Sequence, residues 1–436
     1  MNSGPSPVVG FDFGTTNSSI AMAQNGQVRM VDFPSAAANS RSSRSLLYLQ
    51  RRLRAAGKPV AVYSGAAAIE HYLATDNYDE EYLGRLIQSL KSYLSARDLT
   101  GTEIFGRQYR FEDLVARILR DLRVRASEFF GAEITRALAG RPVMFVGANA
   151  EADNDFALAR LRQSFTEAGF TDVDFVMEPV AAAYAYESTI DRDETLLIGD
   201  FGGGTTDFSL LRIGPSSRAG GQHEILGNTG VGLAGDAFDA RIVRRLISPA
   251  LGSDSLARSI DKTLPALPAW VYANLERWHT LSFLRTHAVR EMLRSAQKRA
   301  LEPEKIAALT AVIDHDLGYR LHGAVQRLKI DLSSQDQADF ILDTEAVHLR
   351  APVQRSDFEG WIAPELARME ASLDDLLQTS GVKPSHVDRV FLTGGTSLVP
   401  AVQRVFTSRF GVNKVQSGDA FTSVAHGLAL MAQQRG

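Results

Sequence analysis

Short apolar runs broken by turns rich in glycine and hydroxyl residues dominate the hydrophobic pattern of the chain, and two of them share one plan. Val8-Val9-Gly10-Phe11-Asp12-Phe13 leads into Gly14-Thr15-Thr16-Asn17 and a second run from Ser18 to Ala21. Leu196-Leu197-Ile198-Gly199-Asp200-Phe201 leads into Gly202-Gly203-Gly204-Thr205-Thr206-Asp207 and a second run from Phe208 to Leu211. Apolar flanks around such bends predict β-hairpins. Each hairpin has Asp-Phe-Gly at the end of its first strand and Thr-Thr in its turn. A copy in each half of the chain predicts two related lobes.

Alternating strand and helix patterns follow each hairpin. In the first half, Pro142 to Gly147 reads as a strand and Asn154 to Ala168 as a helix. Asp174 to Met177 reads as the next strand, before an alanine-rich helix starting at Pro179. In the second half, Arg389 to Thr393 reads as a strand, then the turn Gly394-Gly395-Thr396-Ser397 and a helix from about Pro400. Such alternation predicts an α/β fold. Leu83, Leu86, Ile87, Leu90 and Leu94 fall at helical spacing within an arginine-rich stretch, about residues 36–110. About residues 250–330 read as wholly helical, with Trp270 and Trp278 as packing anchors, and Ser216 to Gly221 as a hairpin loop.

Composition narrows the function. With 47 basic and 51 acidic residues the formal charge is −4. That balance gives no support for nucleic-acid binding, which needs a net basic face. Arg41, Arg44, Arg51, Arg52 and Arg54 read as a solvated face. The chain has no cysteine, which excludes disulfides, thiolate metal sites and cysteine nucleophiles and fits a reducing compartment. No apolar run approaches the ~20 residues needed to span a bilayer, and residues 1–7 lack the pattern of a signal peptide. The expectation is a cytoplasmic protein without membrane contact.

Two glycine turns with hydroxyls are suited to a polyphosphate, because backbone N–H groups can approach it closely. The carboxylates of Asp12, Asp200 and Asp207 would repel the same phosphates unless a hard cation, held largely through water, sat between them. A carboxylate there could also orient an attacking water. Met177-Glu178-Pro179-Val180-Ala181-Ala182-Ala183-Tyr184 places an acid at a helix start, and its small residues allow a close helix crossing. Ser423-Val424-Ala425-His426-Gly427 has a similar small face. Gly230-Val231-Gly232-Leu233-Ala234-Gly235 spells a dinucleotide-binding pattern but lies far from the start of a parallel unit. No P-loop occurs, and no His-Arg-Asp loop accompanies the Asp-Phe-Gly triplets.

Taken in order, these segments resemble the nucleotide-binding part of the DnaK-type heat-shock chaperones, within the actin, sugar-kinase and heat-shock ATPase superfamily. Gly10 to Ser18 and Asp200 to Asp207 look like that family's phosphate loops. Glu178 to Tyr184 and Val424 to Leu428 look like its connecting helices, and Phe391 to Pro400 like its adenosine motif. Gly235 to Asp239 and Lys329-Ile330-Asp331-Leu332-Ser333-Ser334 fall in the same order. The resemblance implies a two-lobed actin-like ATPase fold, with duplicated ribonuclease-H-like cores and a rim subdomain on each lobe. Lobe I would cover residues 1–195 with its rim at about 36–110. Lobe II would cover 196–417 with a helical rim at about 231–350, and residues 418–436 would return to lobe I.

It implies ATP or ADP and Mg2+ as ligands. Asp12 and Asp200 would hold the hydrated metal, and Asp207 and Glu178 would surround it and the attacking water. Thr15, Thr16 and Thr205 would contact phosphates, with Gly14, Asn17, Gly202, Gly203, Gly204 and Thr206 lining the turns. Gln326, Lys329, Ser333, Gly394, Gly395, Thr396 and Leu398 would border the nucleoside. The family's catalytic lysine best matches Lys91, which can equally be read as a solvated lysine beside an apolar stripe. Leu398 stands where the family stacks an arginine on adenine, and Gln326 and Ile330 where it has glutamate and arginine. The family's peptide-binding domain has no counterpart in this chain. The expected function is a slow Mg-dependent ATPase whose lobe closure regulates an unidentified protein partner. The alternatives are a nucleotide-dependent scaffold or actin-like polymer subunit, and a small-molecule kinase of the same superfamily.

Overall fold

A computed structural model describes residues 6–33, 40–52, 59–74, 82–148, 150–187, 189–220, 224–258, 263–277, 280–281, 284–417 and 423–435. Arg54, Gly221 and Trp278 lie outside the described residues. The chain opens with β1 (Val8–Phe13), β2 (Asn17–Gln24), β3 (Gln27–Met30), β4 (Ser43–Arg44), β5 (Leu46–Arg52) and β6 (Ala61–Ser64). It continues through α1 (Gly65–Ala74), β7 (Tyr82–Gln88), β8 (Gly101–Ile104), β9 (Arg107–Arg110) and α2 (Phe111–Phe130). The first half closes with β10 (Arg136–Arg141), α3 (Glu151–Glu167), β11 (Asp172–Met177) and α4 (Glu178–Glu187).

The second half begins with β12 (Glu194–Phe201), β13 (Thr206–Ile213), α5 (Pro215–Gly220), β14 (Glu224–Val231) and α6 (Gly235–Ile242). Next come α7 (Ser248–Ala250), β15 (Leu256–Arg258), β16 (Thr263–Pro265), α8 (Ala269–Leu275), α9 (His287–Arg299) and α10 (Pro303–Asp314). It ends with α11 (Gly318–Ser334), β17 (Gln337–Asp343), β18 (His348–Gln354), α12 (Arg355–Ser380), β19 (Arg389–Thr393), α13 (Pro400–Phe410), β20 (Val415–Ser417) and α14 (Ser423–Arg435).

The main sheets carry the same topology. One runs β11-β10-β1-β2-β3, with β4 also on β2, and the other runs β14-β13-β12-β19-β20. In each, three sequential strands pair antiparallel, and the first of them also pairs parallel with a later strand. That later strand pairs parallel with one more. A repeated hairpin at equivalent places in both sheets is therefore the mark of a duplicated α/β core. Each sheet has its own apolar core, one around Phe11, Leu119 and Phe165 and the other around Phe208, Phe238 and Phe406.

A third core lies between them, built from Val180, Ala181, Ile198, Leu211, Val424 and Leu428. Here α14 packs on α4 and across β1 and β2. The approach is so close that a β-carbon at Gly427 would collide with the backbone of Ala181, and one at Gly10 with the backbone of Ala425 to Ala429. Small residues bring the two backbones together, where larger ones would hold them apart.

Several expected elements differ. The first parallel strand of lobe I is Arg136–Arg141, not Pro142–Gly147. Its centre carries small residues because Glu178 and Val424 pack directly over Gly140, so the more apolar stretch after Pro142 dominates the pattern without being a strand. Leu83, Leu86 and Ile87 lie in β7, paired antiparallel with β5, rather than in a helix. Leu90 starts a 3-10 turn whose N-terminal flank, Ser89, has φ 57°. The stretch at 250–330 is not wholly helical, since β15 and β16 form a small antiparallel pair. Ser216 to Gly220 lie in α5 instead of an open hairpin loop. Trp270 is 47% exposed and anchors no core. Among the described residues no helix is long and apolar enough to cross a membrane.

Replacing Gly427 by alanine is expected to destabilise the protein by about 1–3 kcal/mol through overpacking. Gly360, inside α12 with open space around it, provides the contrast. Gly360→Ala is expected to stabilise by roughly 0.5–1 kcal/mol. Denaturant unfolding of both variants checks the pair, and equal shifts would refute the close-crossing account.

Candidate functional site

The first residues of the site come from the ends of equivalent strands. Asp12 closes β1 opposite Ser19 on β2. Asp200 closes β12 opposite Asp207 on β13 and beside Thr393 on β19. Two like charges facing each other across a ladder oppose folding unless something else compensates them. Thr393 Oγ1 donates to Asp200 Oδ1 at 2.8 Å, and the Thr205 hydroxyl hydrogen-bonds Asp207.

Glu178 opens α4 and meets Lys91 from the 3-10 turn, with Nζ to Oε1 at 2.7 Å. Their side chains are 7% and 12% exposed, so Lys91 is buried in the site and not a solvated lysine. Local structure explains its position. Leu90 and Leu94 are buried on either side of it, and the Arg160 guanidinium holds the carbonyls of Leu94, Ala96 and Leu99 at 3.2, 3.2 and 2.9 Å. Arg160 is in turn paired with Glu112 and stacked on Phe111 at 4.6 Å.

Electrostatically the group is unbalanced. Burial first, then Glu178 and Asp200, push the Asp12 carboxyl up to about 8, against the pull of Lys91 and a hydrogen bond from Ser19. Burial, then Asp200 and Glu178, raise Asp207 to about 8. Asp200 is raised by burial and Glu178, with Thr393 and Lys91 opposing. For Lys91, burial works to lower the pKa, but Glu178, Asp12 and Asp200 outweigh it and hold the ammonium above its ordinary value. Four carboxylates thus surround one ammonium in a poorly solvated place, which is a donor set suited to a hard divalent cation. Among the described residues no three such side chains converge closely enough to ligate a bare ion.

The hairpin turns meet. A side chain at Gly203 would collide with the Thr16 hydroxyl, and one at Gly204 would come within 3.9 Å of Ser92 Oγ. Gly14, Thr15, Thr16 and Asn17 are half-buried in the first turn. In the second, Gly202 N–H donates to Thr205 O at 2.9 Å, and Asp236 N–H to Gly203 O at 2.8 Å. Thr206 faces elsewhere, since its buried hydroxyl donates to Leu233 O at 2.8 Å.

Beyond the second turn, α6, α11 and the Gly394–Leu398 turn converge. Lys329 Nζ lies 2.7 Å from Asp239 and donates to Gly235 O at 3.2 Å. A β-carbon at Gly235 would come within 2.8 Å of Thr396 Oγ1. Gly394 has φ 85° and lies against the Phe201 backbone, while Gly395 is exposed. Gln326 and Ser333 share a face of α11 with Lys329, and Ser333 Oγ donates to Lys329 O at 2.8 Å. Leu398 and Ile330 face solvent, 46% and 66% exposed.

Sequence reasoning passed over four residues that the structure brings here. Thr393 is legible only through the register that sets it beside Asp200. Ser92 follows Lys91 directly. Asp236 and Asp239 lie in a recognised segment, one beside Gly203 and the other on Lys329.

A family model described as "Hsp70 protein" matches residues 8–263 and 304–434. Two proteins named "Chaperone protein dnaK" are similar over 98% of this chain. The one from Gracilaria tenuistipitata var. liui is 25% identical over 443 residues, 60% of its length. The one from Emiliania huxleyi is 24% identical over 442 residues, 59% of its length. The chain thus spans about 60% of the length of these relatives.

Removing one of the facing acids should stabilise the ligand-free protein. With the folded pKa of Asp207 raised to about 8 from 3.8, its burial is tolerated below pH 4 and opposes folding increasingly as pH rises toward 8. Asp207→Asn is expected to raise Tm by a few degrees, and by more at pH 9 than at pH 5. An equal or larger gain at pH 5 in paired thermal melts would overturn the assignment of facing like charges.

Proposed function

The chain belongs to the Hsp70 family, and on that premise we propose that it binds a magnesium–adenine nucleotide between its two sheets and hydrolyses it slowly. Closure of the lobes around the nucleotide would then regulate a protein partner. The observation that carries this reading is the pair Asp200 and Asp207, facing each other across one ladder with Asp12 and Glu178 beside them. Such a group favours a divalent cation, and a polyphosphate is the natural anion to complete it.

Asp12 and Asp200 would hold the magnesium through water, and the ion would supply neutralisation of the phosphate charge. Thr15, Thr16 and Thr205 supply hydroxyl donors at the meeting turns. Lys91 fixes the Glu178 carboxylate at 2.7 Å and adds positive charge where phosphate charge would develop. Asp207, opposite Asp200 on the ladder, is placed to orient a water once a cation offsets its charge. Gly235, Lys329 and Thr396 extend the same surface away from the turns, toward a nucleoside.

Calorimetric titration of ATP, ADP and GTP with and without magnesium, then phosphate release on the same samples, tests the reading. Magnesium-dependent adenine-nucleotide binding with release is expected. Asp12→Asn and Asp200→Asn should each lower turnover about tenfold or more, the scale of losing a positioned electrostatic group. Thr205→Ala should lower turnover more than affinity. Wild-type turnover in both aspartate variants would sink the site assignment, and binding without release would leave a nucleotide sensor.

A further inference from the structure

Ser92 follows Lys91 in the 3-10 turn Leu90–Tyr93 and meets the second hairpin from the opposite lobe. The turn starts at Ser89, whose left-handed φ of 57° redirects the chain after β7. Ser92 N–H donates to Ser89 O at 3.0 Å, and its side chain is half-buried while Leu90 and Lys91 are buried. A β-carbon at Gly204 would stand 3.9 Å from Ser92 Oγ, and one at Gly203 would collide with Thr16 Oγ1. Two hydroxyls of the first lobe thus meet successive glycines of the second. Among the described residues neither hydroxyl has a hydrogen-bond partner.

The order of groups along the second turn gives these hydroxyls different places. Gly203 lies beside Asp236, on the side of α6 and Lys329, toward the nucleoside end of the surface. Gly204 leads into Thr205, whose hydroxyl bonds Asp207, on the side of the carboxylates and Lys91. Ser92 therefore stands at the acid end, where the phosphate farthest from the nucleoside would lie. Its place is fixed from behind. The Arg160 guanidinium holds the carbonyls of Tyr93 and Leu94 at 3.4 and 3.2 Å. It lies over the Phe111 and Phe156 rings at 4.6 and 5.5 Å and pairs with Glu112. A planar fork of donors can serve several carbonyls at once, which the compact ammonium of lysine does less well.

We propose that the Ser92 hydroxyl is a ligand of the terminal phosphate and gives the site a preference for nucleoside triphosphate over diphosphate. Arg160 is its positioning residue, holding the Lys91-Ser92 turn against the second hairpin. The proposal rests on the nucleotide reading above and adds to it a residue that tells substrate from product. A hydroxyl donating to a phosphate oxygen forms a charge-assisted bond, stronger than one between neutral groups. A diphosphate held by the same turns would leave Ser92 to water.

The test is calorimetric titration of the β,γ-imido analogue of ATP and of ADP, each with magnesium, so that turnover does not enter. Ser92→Ala should weaken the triphosphate analogue about tenfold or more and ADP less than about twofold, the scale of one lost hydrogen bond to a charged group. Ser92→Thr, which keeps the hydroxyl, should restore most of the preference. Arg160→Lys should lose the same preference, whereas a general loss of structure would weaken both ligands alike. In the nucleotide-free Arg160→Lys protein, acetic anhydride should also modify Lys91 several times faster than in the wild type, read by mass spectrometry. Arg294→Gln, exposed on α9 and paired with Glu291 in the same helix, should leave both affinities unchanged. Equal losses for the two nucleotides in Ser92→Ala, or no loss at all, would overturn the assignment while leaving the proposed function standing. If the wild-type chain binds neither nucleotide, the proposed function falls and the Ser92 assignment falls with it.

Discussion

Carboxylates that face one another in poorly solvated surroundings cannot all be charged unless a cation joins them. That constraint organises the centre of this molecule. Asp200 and Asp207 are set in register by the ladder itself, so neither can move away from the other without unpairing β12 and β13. Asp12 arrives from the other sheet, and Glu178 from the helix that connects the sheets. Lys91 relieves only part of the repulsion. The fold therefore holds an electrostatic debt in place, and a ligand carrying a divalent ion would gain affinity by discharging it.

Duplication explains how the parts come together, and divergence explains why they are not symmetric. The same strand order places Asp12 and Asp200 at equivalent strand ends. Their cross-strand partners differ, Ser19 in one hairpin and Asp207 in the other. Only the second hairpin thus presents two acids. The first is supplemented from outside its sheet by Lys91, which depends on the buried Arg160 to hold its segment. One side is built by strand register and the other by a side-chain brace.

That difference also marks what could be read from the chain. The hairpins, Glu178 and the glycine turn at Gly394 were legible, because turn chemistry is local and leaves its residue types in order. The strand at Arg136–Arg141 was not, because its residues are small for the sake of what crosses above them. The helical spacing of Leu83, Leu86 and Ile87 misled because the segment is held by backbone pairing with β5 and not by one apolar face, Leu83 being 42% exposed. Lys91 could not be decided from its neighbours in sequence. Its burial follows from Glu178 and Arg160, which are distant in the chain and close in space.

The crossing of α14 over β1 has a consequence for how the protein is made. Residue 10 and residue 425 must meet before the first sheet is covered. At ~5–20 residues per second, a ribosome needs roughly 20 to 80 seconds to make the intervening chain. Throughout that time the apolar face around Gly10 and Ala21 waits without its helix. Strand β1 thus leaves the ribosome long before the helix that shelters it, and the nascent chain passes through a stage in which this face needs protection from aggregation.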